Sequence, residues 1–533
     1  MESYWCHQAF NLFQRYKSVM RKLFILLALC SITLYGCAVN PVTGKKQLGL
    51  VTESQEIQIG SQQYMPSRQM QGGDYVLDQA LTKYVNDVGQ RLAAVSDRKL
   101  PYEFVVINNS VPNAWALPGG KIAVNRGLLT ELNSEAELAA VLGHEIVHAA
   151  ARHGAQGLER GILLQGAVAM AGIAARGSNY EDIAVRGAET AATLINQKYG
   201  RNAEHESDLY GMKYMSLAGY DPGAAISLQE VFVRLSKDRD TDWLSGLFAS
   251  HPPSQERVEA NRATARTLPE SGELGVQRYQ DKIAHLKKTK YAYKALDTGS
   301  KSLDEGETKE ALVLAQQAIQ NEPNEGRFHA LIGDVYMKQQ QYQKALTNYD
   351  RAVELNSEFF YFYLQRGLNK QKLGDRQGAR NDLERSTKLL PTATALNALG
   401  NMSLASGNRQ EALQYYKDAA SSNSEPGRQA AQSFVKLDLP GNPDRHLNTS
   451  ASLNKERFVI VRITNPTPVP VRDVNVLIRY PDSQGKALEV IKDVSGIISP
   501  GKSTIVQPGI GPVEDPEMLK YMSVNVIRAN VVE

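Results

Sequence analysis

Cysteine is scarce, and its three copies, Cys6, Cys30 and Cys37, all lie near the start of a 533-residue chain. The rest of the chain therefore has no disulfide framework and no cysteine-based zinc site. Net charge is also small: 60 Lys and Arg against 57 Asp and Glu leave +3. Nothing in that balance favours a nucleic-acid partner, and none is expected. Long apolar runs are missing too. Residues 23–34 and 161–175 are apolar, but both stretches are too short to span a bilayer comfortably. What remains is a chain with 42% hydrophobic residues, ordinary for a globular protein, and long enough for three or four domains.

The first apolar stretch reads as part of a targeting signal. Arg21 and Lys22 form a positive flank, residues 23–34 the apolar centre, and "LYGC" follows. That tetrapeptide resembles the bacterial lipobox, with Cys37 as the lipidated residue and Tyr35 as a less usual neighbour. Ala38 in place of an Asp implies, by the same resemblance, sorting to the outer membrane. Residues 1–19 are polar and aromatic, which points to a start at Met20. Residues 1–37 are expected to be a lipoprotein signal, with Cys37 holding the chain to a membrane by lipid and the protein facing the periplasm.

Three further regions follow. Residues 38–270 mix helix-like and strand-like runs. "YEFVVINN" (102–109) and "KIAVN" (121–125) read as strands, and "SVPNAWALPGG" between them reads as a loop. "NSEAELAAVLGHEIVHAAARHG" predicts a helix. Ser134 and Glu137 have capping-box spacing, and Gly154 is placed for a left-handed end. Another helix is expected over about 202–217. Residues 271–289 read as a linker. In 290–435, Gly recurs at 299, 333, 367 and 400, Ala recurs twelve residues later, at 311, 345, 379 and 412, and a third small residue follows at Ala318, Ala352, Ser386 and Ala419. Spacings of 34, 34 and 33 residues resemble the tetratricopeptide repeat, in which small residues let paired helices approach. Residues 450–533 alternate strand-like runs with Pro-rich turns and predict a small β-sandwich, immunoglobulin-like in strand density. The expected class is α+β and multidomain: a mainly helical domain over 38–270, an α-solenoid and the β-sandwich.

The chemistry concentrates in "VLGHEIVHAAARHG" (141–154). On a helix, His144 and His148 share one face and can address one ion, while Glu145 stands one step round. Two imidazoles and a carboxylate suit Zn²⁺ with a fourth position open, and Glu145 is placed to take a proton from water there. Three polar residues in one region of an apolar helix are costly unless paired or metal-bound. Spacing leaves the third ligand open among His153, Glu159, Glu181, Glu189, Glu204, His205, Glu206 and Asp208. In "RNAEHESDLYG", Glu204 and Asp208 share a helix face.

The helix followed by "YGRNAEHESDLYGMKYM" resembles the zinc-metallopeptidase family that includes the HtpX membrane protease, the CAAX prenyl endopeptidase and the β-barrel assembly-enhancing protease. The resemblance covers residues 38 to about 265. It implies His144, His148 and Glu204 as ligands of one Zn²⁺, Glu145 as base and Asp208 behind a ligand histidine; Ser207 stands where Ala is more usual. "NAWALPGGKIAVNRGLL" resembles the family's strand beside the catalytic helix, which implies contact of Ala116, Pro118, Gly119 and Gly120 with an extended substrate. "SHPPSQERVEA" resembles the family's His and Arg near the site, here His251 and Arg257. His251 either occupies the open zinc position in a resting enzyme or helps an oxyanion, as Arg257 could. His153 is read as favouring a helix C-terminus, and His205 as lying off the ligand face. The expected activity is zinc endopeptidase action on misassembled envelope or outer-membrane proteins, with the repeats holding a protein partner or substrate. The alternative is a repeat scaffold or holdase whose peptidase domain is silent or self-inhibited.

Overall fold

The computed structural model describes residues 37–170, 199–237, 251–482 and 485–532. The signal read in residues 1–36 and the ligand candidates Glu181 and Glu189 lie outside them, as does part of the apolar stretch 161–175. Among the described residues, no helix is long and apolar enough to cross a membrane. The chain divides into two compact units, Met1–Phe360 and Tyr361–Glu533.

The first unit opens with a hairpin, β1 (Cys37–Val39) and β2 (Lys46–Leu48), followed by helices α1 (Glu53–Met70) and α2 (Gln79–Ala93). A three-stranded sheet follows: β3 (Glu103–Ile107), β4 (Ala114–Leu117) and β5 (Lys121–Asn125), in the order β3-β5-β4. β3 runs parallel to β5 and β4 antiparallel to it, so β4 is an edge. The sequence pattern predicts only a loop at β4. Its four residues "AWAL" are all buried, which removes the alternation that marks a half-buried strand.

Helix α3 (Glu135–Ala150) carries the His–Glu–x–x–His segment. Ser134 Oγ accepts from the Glu137 N–H at 3.1 Å, as capping-box spacing predicts. The Glu137 carboxylate turns back to the N–H of Asn133 at 2.6 Å. The left-handed residue beyond the helix is Arg152, at φ 66°, and not Gly154. Arg152 is held there by the buried carboxylates of Glu56 and Glu159. His153 therefore begins the next helix, α4 (His153–Met170), instead of ending α3.

Helix α5 (Arg201–Leu217) crosses α3 at Gly143 and Gly211. A Cβ on Gly211 would stand 3.0 Å from the His144 backbone nitrogen, so a larger residue would press the two helices apart. Helices α6 (Ala224–Lys237) and α7 (Gln255–Ala265) complete the surround. Residues 271–289, read as a linker, form α8 (Val276–Lys282) and the start of α9 (Ala284–Glu305). Tyr279, Ile283 and Leu286 sit in the main hydrophobic core with Leu142 and Ile146 of α3.

Paired helices follow as the repeat predicts: α9 with α10 (Thr308–Asn321), and α11 (Gly326–Lys338) with α12 (Tyr342–Leu355). In the second unit the series continues as α13 (Phe360–Leu373), α14 (Arg376–Leu389), α15 (Ala393–Ala405), α16 (Arg409–Ala419) and α17 (Glu425–Asp438). The recurring glycines are explained by space. A Cβ on Gly333 would meet the Tyr349 ring at 2.6 Å, and one on Gly400 the Tyr416 ring at 2.6 Å.

The chain ends in two three-stranded antiparallel sheets. Strands β6 (Asn448–Leu453), β7 (Val459–Thr464) and β10 (Ser503–Val506) form one; β8 (Val471–Pro481), β9 (Ala487–Val494) and β11 (Ser523–Val531) form the other. Val461 and Ile463 of β7 share one buried cluster with Val476 and Ile478 of β8, giving the expected small sandwich. Six strands are present among the described residues, against seven in a constant-type immunoglobulin domain.

Candidate metal centre

Helical spacing brings His144 and His148 together on one face of α3, with their Nε2 atoms 3.0 Å apart. Glu204, in the first turn of α5, reaches both: Oε2 lies 3.5 Å from His144 Nε2 and Oε1 3.4 Å from His148 Nε2. His251, just ahead of α7, places Nδ1 3.1 Å from Glu204 Oε1 and 3.3 Å from His144 Nε2. One donor atom from each of these four residues lies within 4.8 Å of the others. Three imidazoles and one carboxylate converging this closely are the donor set of a divalent transition metal.

Glu145 lies beside this cluster, buried, with Oε1 3.6 Å from His251 Nε2. Its Oε2 is buried and has no hydrogen-bond partner among the described residues. Burial raises the Glu145 carboxyl above its ordinary value, against the opposing pull of His251 and His144. The group thus holds a proton more readily than an exposed carboxylate. Glu204 behaves in the opposite way. Burial would raise it, but His251 and the hydrogen bonds of His144, His148 and His251 hold it far below the carboxylate range.

Behind His144 stands Asp208, whose Oδ1 is 2.9 Å from His144 Nδ1. Arg257 grips Asp208 with both arms of its fork, Nε to Oδ2 at 2.7 Å and Nη2 to Oδ1 at 2.8 Å. Its remaining nitrogen, Nη1, lies 3.0 Å from Glu204 Oε2 and 3.2 Å from the Pro252 carbonyl. Burial opposes the Asp208 charge, but Arg257 more than offsets it and brings the carboxyl down to about 2. All three guanidinium nitrogens of Arg257 are therefore engaged, by Asp208, Glu204 and the Pro252 carbonyl.

A cavity of about 40 Å³ adjoins the cluster, lined by Ala114, Leu128, Val141, Met212, Leu228 and Phe232 among others. Ser207, the departure from the family pattern, lines it with a buried hydroxyl that has no partner among the described residues. The structure brings Ala114 of β4 to this cavity. It does not bring Pro118, Gly119 or Gly120 there. Those three turn β4 into β5 and are buried elsewhere: Pro118 and Gly119 pack on α1, where a Cβ on Gly119 would meet the Ile57 backbone at 2.6 Å, and Gly120 packs on Tyr102 and Leu100. Ala116 lies on the β4 edge. Cys37 lies on β1.

His205 points away, toward Glu256, as expected. His153 does not stay out of the site. It is buried, with Nδ1 2.9 Å from His148 Nδ1. Helical geometry gave no signal for it, because a residue five positions on is off the ligand face of an unbroken helix. The left-handed Arg152 breaks the helix and returns the ring.

A helix-borne pair of histidines, a carboxylate from a second helix and a neighbouring glutamate form a metallopeptidase-type site, here followed by helical repeats. Residues 79–265 match the model of Peptidase family M48, and residues 333–374 and 364–427 match tetratricopeptide-repeat models. Metalloprotease YcaL of Escherichia coli K12 is 30% identical over 36% of this chain and 73% of its own length. The chain belongs to peptidase family M48, as the resemblance in its motifs implies. The β-barrel assembly-enhancing protease of Escherichia coli K12 is 29% identical over 43% of this chain and 47% of its own length. The mitochondrial metalloendopeptidase OMA1 of Arabidopsis thaliana is 33% identical over 30% of each chain. The chain thus spans less than half the length of these last two relatives.

Proposed function

We propose that this protein is a zinc endopeptidase of the bacterial periplasm, lipid-anchored through Cys37 at the outer membrane and acting on misassembled envelope proteins. The observation that carries the enzymatic reading is the convergence of His144, His148, Glu204 and His251 within 4.8 Å beside a Glu145 carboxylate oxygen that has no partner among the described residues. His144, His148 and Glu204 would hold the ion. A zinc ion supplies Lewis acidity at such a site, polarising a peptide carbonyl and acidifying water. Glu145 takes the proton from the attacking water and returns it to the leaving amine. Asp208 orients His144, and Arg257 fixes Asp208 and Glu204. The edge of β4 receives an extended peptide by strand addition, and the apolar cavity accepts a small hydrophobic side chain next to the scissile bond.

His251 gives this enzyme a resting state. A catalytic zinc site keeps one position open, whereas four protein donors make a closed site. The closeness of His251 Nδ1 to Glu204 and His144 supports a fourth-ligand role. Substrate entry then requires His251 to leave. The repeats supply a surface for a protein partner or for the substrate itself. The reading is tested by metal analysis and casein cleavage with the wild type and Glu145→Gln. One zinc per chain in both, with cleavage lost only in the variant, is the expected result; equal cleavage by both sinks the mechanism. Loss of palmitate labelling in Cys37→Ser tests the anchor.

A further inference from the structure

His148 is backed by a chain of polar side chains that reaches the β1–β2 hairpin. His153 Nδ1 lies 2.9 Å from His148 Nδ1, and His153 Nε2 lies 3.3 Å from Glu206 Oε1. Asn40, in the hairpin, donates from Nδ2 to the same Glu206 oxygen at 2.8 Å. His153 and Asn40 are each 5% exposed. The Asn40 amide is oriented by its other end, because Oδ1 accepts from the N–H groups of Val42 at 2.9 Å and Thr43 at 3.2 Å. Its NH₂ end is thereby left for Glu206.

The direction of every bond follows from the ends. An ionised Glu206 can only accept, so His153 donates from Nε2. Neutral His153 then has a bare Nδ1, which accepts the Nδ1–H of His148. That leaves the lone pair of His148 on Nε2, the atom aimed at the cluster. Asp208 does the same for His144. A metal-ligating histidine ordinarily donates its other ring N–H to a carboxylate, carbonyl or water. Here a second histidine stands between ligand and carboxylate, and the left-handed Arg152, anchored by Glu56 and Glu159, puts it there.

We infer that His153, with Glu206 and Asn40 behind it, is a positioning residue of the metal centre that fixes the tautomer and ring orientation of His148 and makes ligand geometry depend on the β1–β2 hairpin. The inference rests on the zinc reading of the cluster. Its test is the affinity of the full-length protein for Zn²⁺, measured by competition with a chromophoric chelator, together with the visible spectrum of the Co²⁺-substituted protein and the melting temperature in chelator. His153→Ala is expected to bind Zn²⁺ about 10- to 100-fold more weakly and to alter the Co²⁺ spectrum. His153→Gln, which can both accept from His148 and donate to Glu206, should recover most of that affinity. Glu206→Ala and Asn40→Ala should weaken binding progressively less, and they carry the test if His153→Ala does not fold. Tight wild-type binding that is unchanged in His153→Ala, or in both distal variants, overturns the positioning role while leaving the zinc site standing. A lower melting temperature with unchanged zinc affinity means packing alone and overturns it equally. Failure of the wild type to take up one zinc overturns the zinc reading beneath it.

Discussion

Glu145 is a buried carboxyl with one oxygen unpartnered among the described residues, an arrangement that costs stability and so points to a group kept for chemistry. Replacing it by the nearly isosteric amide should therefore separate function from stability. Glu145→Gln is expected to lose casein cleavage by about 10²- to 10⁴-fold, the usual contribution of a general base, while melting no lower than the wild type. Retained activity, or a fall in melting temperature, would contradict the assignment. His251 makes the opposite prediction. If it closes the site, His251→Ala should cleave casein faster than the wild type, and slower cleavage would move His251 into the chemistry. These residues differ in how legible they were. His144, Glu145 and His148 stand out through helical spacing together with the capped, otherwise apolar helix that carries them. Glu204 needed the family resemblance, because eight downstream residues were chemically eligible. His153 was misread, since its contact depends on a left-handed non-glycine residue that no composition rule announces. Asn40 was invisible for a different reason: its contact with Glu206 spans 166 residues of chain.

The catalytic helix is held at its start by an ion pair that α8 supplies. Glu135, the first residue of α3, accepts from Tyr84 at 2.6 Å, from Tyr220 at 2.9 Å and from both arms of Arg278. Burial alone would raise the Glu135 carboxyl, but hydrogen bonds from Arg278, Tyr84 and Tyr220 leave it below its ordinary value. A carboxyl depressed in the folded state stabilises the fold above its unfolded value, about pH 4.3, and loses that contribution as the pH falls through the folded value. Glu135→Gln should accordingly lower the melting temperature at pH 7, and lower it progressively less as the pH falls below about 4.3; a pH-independent effect would mean packing and not charge. The repeat helices make a second prediction of sign. Ala is ordinarily about 1 kcal/mol better than Gly inside a helix. At Gly400 the added Cβ would lie 2.6 Å from the Tyr416 ring, so Gly400→Ala should instead destabilise by about 1–3 kcal/mol in urea titration. Stabilisation would show that the ring moves freely. These helices were legible because their small residues recur at fixed spacing. Strand β4 was not, because burial on all sides erased the period-two signal, and α8 was hidden in a segment with the composition of a linker.

The sequence places a peptidase domain at residues 38–270 and the repeats from 290, yet the compact unit extends to Phe360. Physical packing explains the difference. Tyr279, Ile283, Leu286, Tyr293 and Phe328, all beyond residue 270, are at most 2% exposed and belong to the same core as α3. Polar contacts run the same way: the Arg126 guanidinium lies 3.3 Å from the Tyr293 ring centre, and Asn108 donates to Glu325 at 2.8 Å. Burying one such side chain contributes about 1.5–3 kcal/mol. Losing five of them is comparable to the whole stability of an ordinary domain, about 5–15 kcal/mol. A chain cut at residue 270 should therefore expose its core, bind a hydrophobic dye and melt without a cooperative transition, whereas one cut after Phe360 should melt cooperatively. The four residues of the proposed metal cluster end at His251 and the Arg257 contacts follow it, so the chain ending at Phe360 should also bind zinc and cleave casein. Cooperative melting of the shorter chain would mean that the first repeat helices are accessories to the peptidase core. Aggregation of the shorter chain alone would mean that the first two repeat pairs form the wall on which the catalytic helix is built.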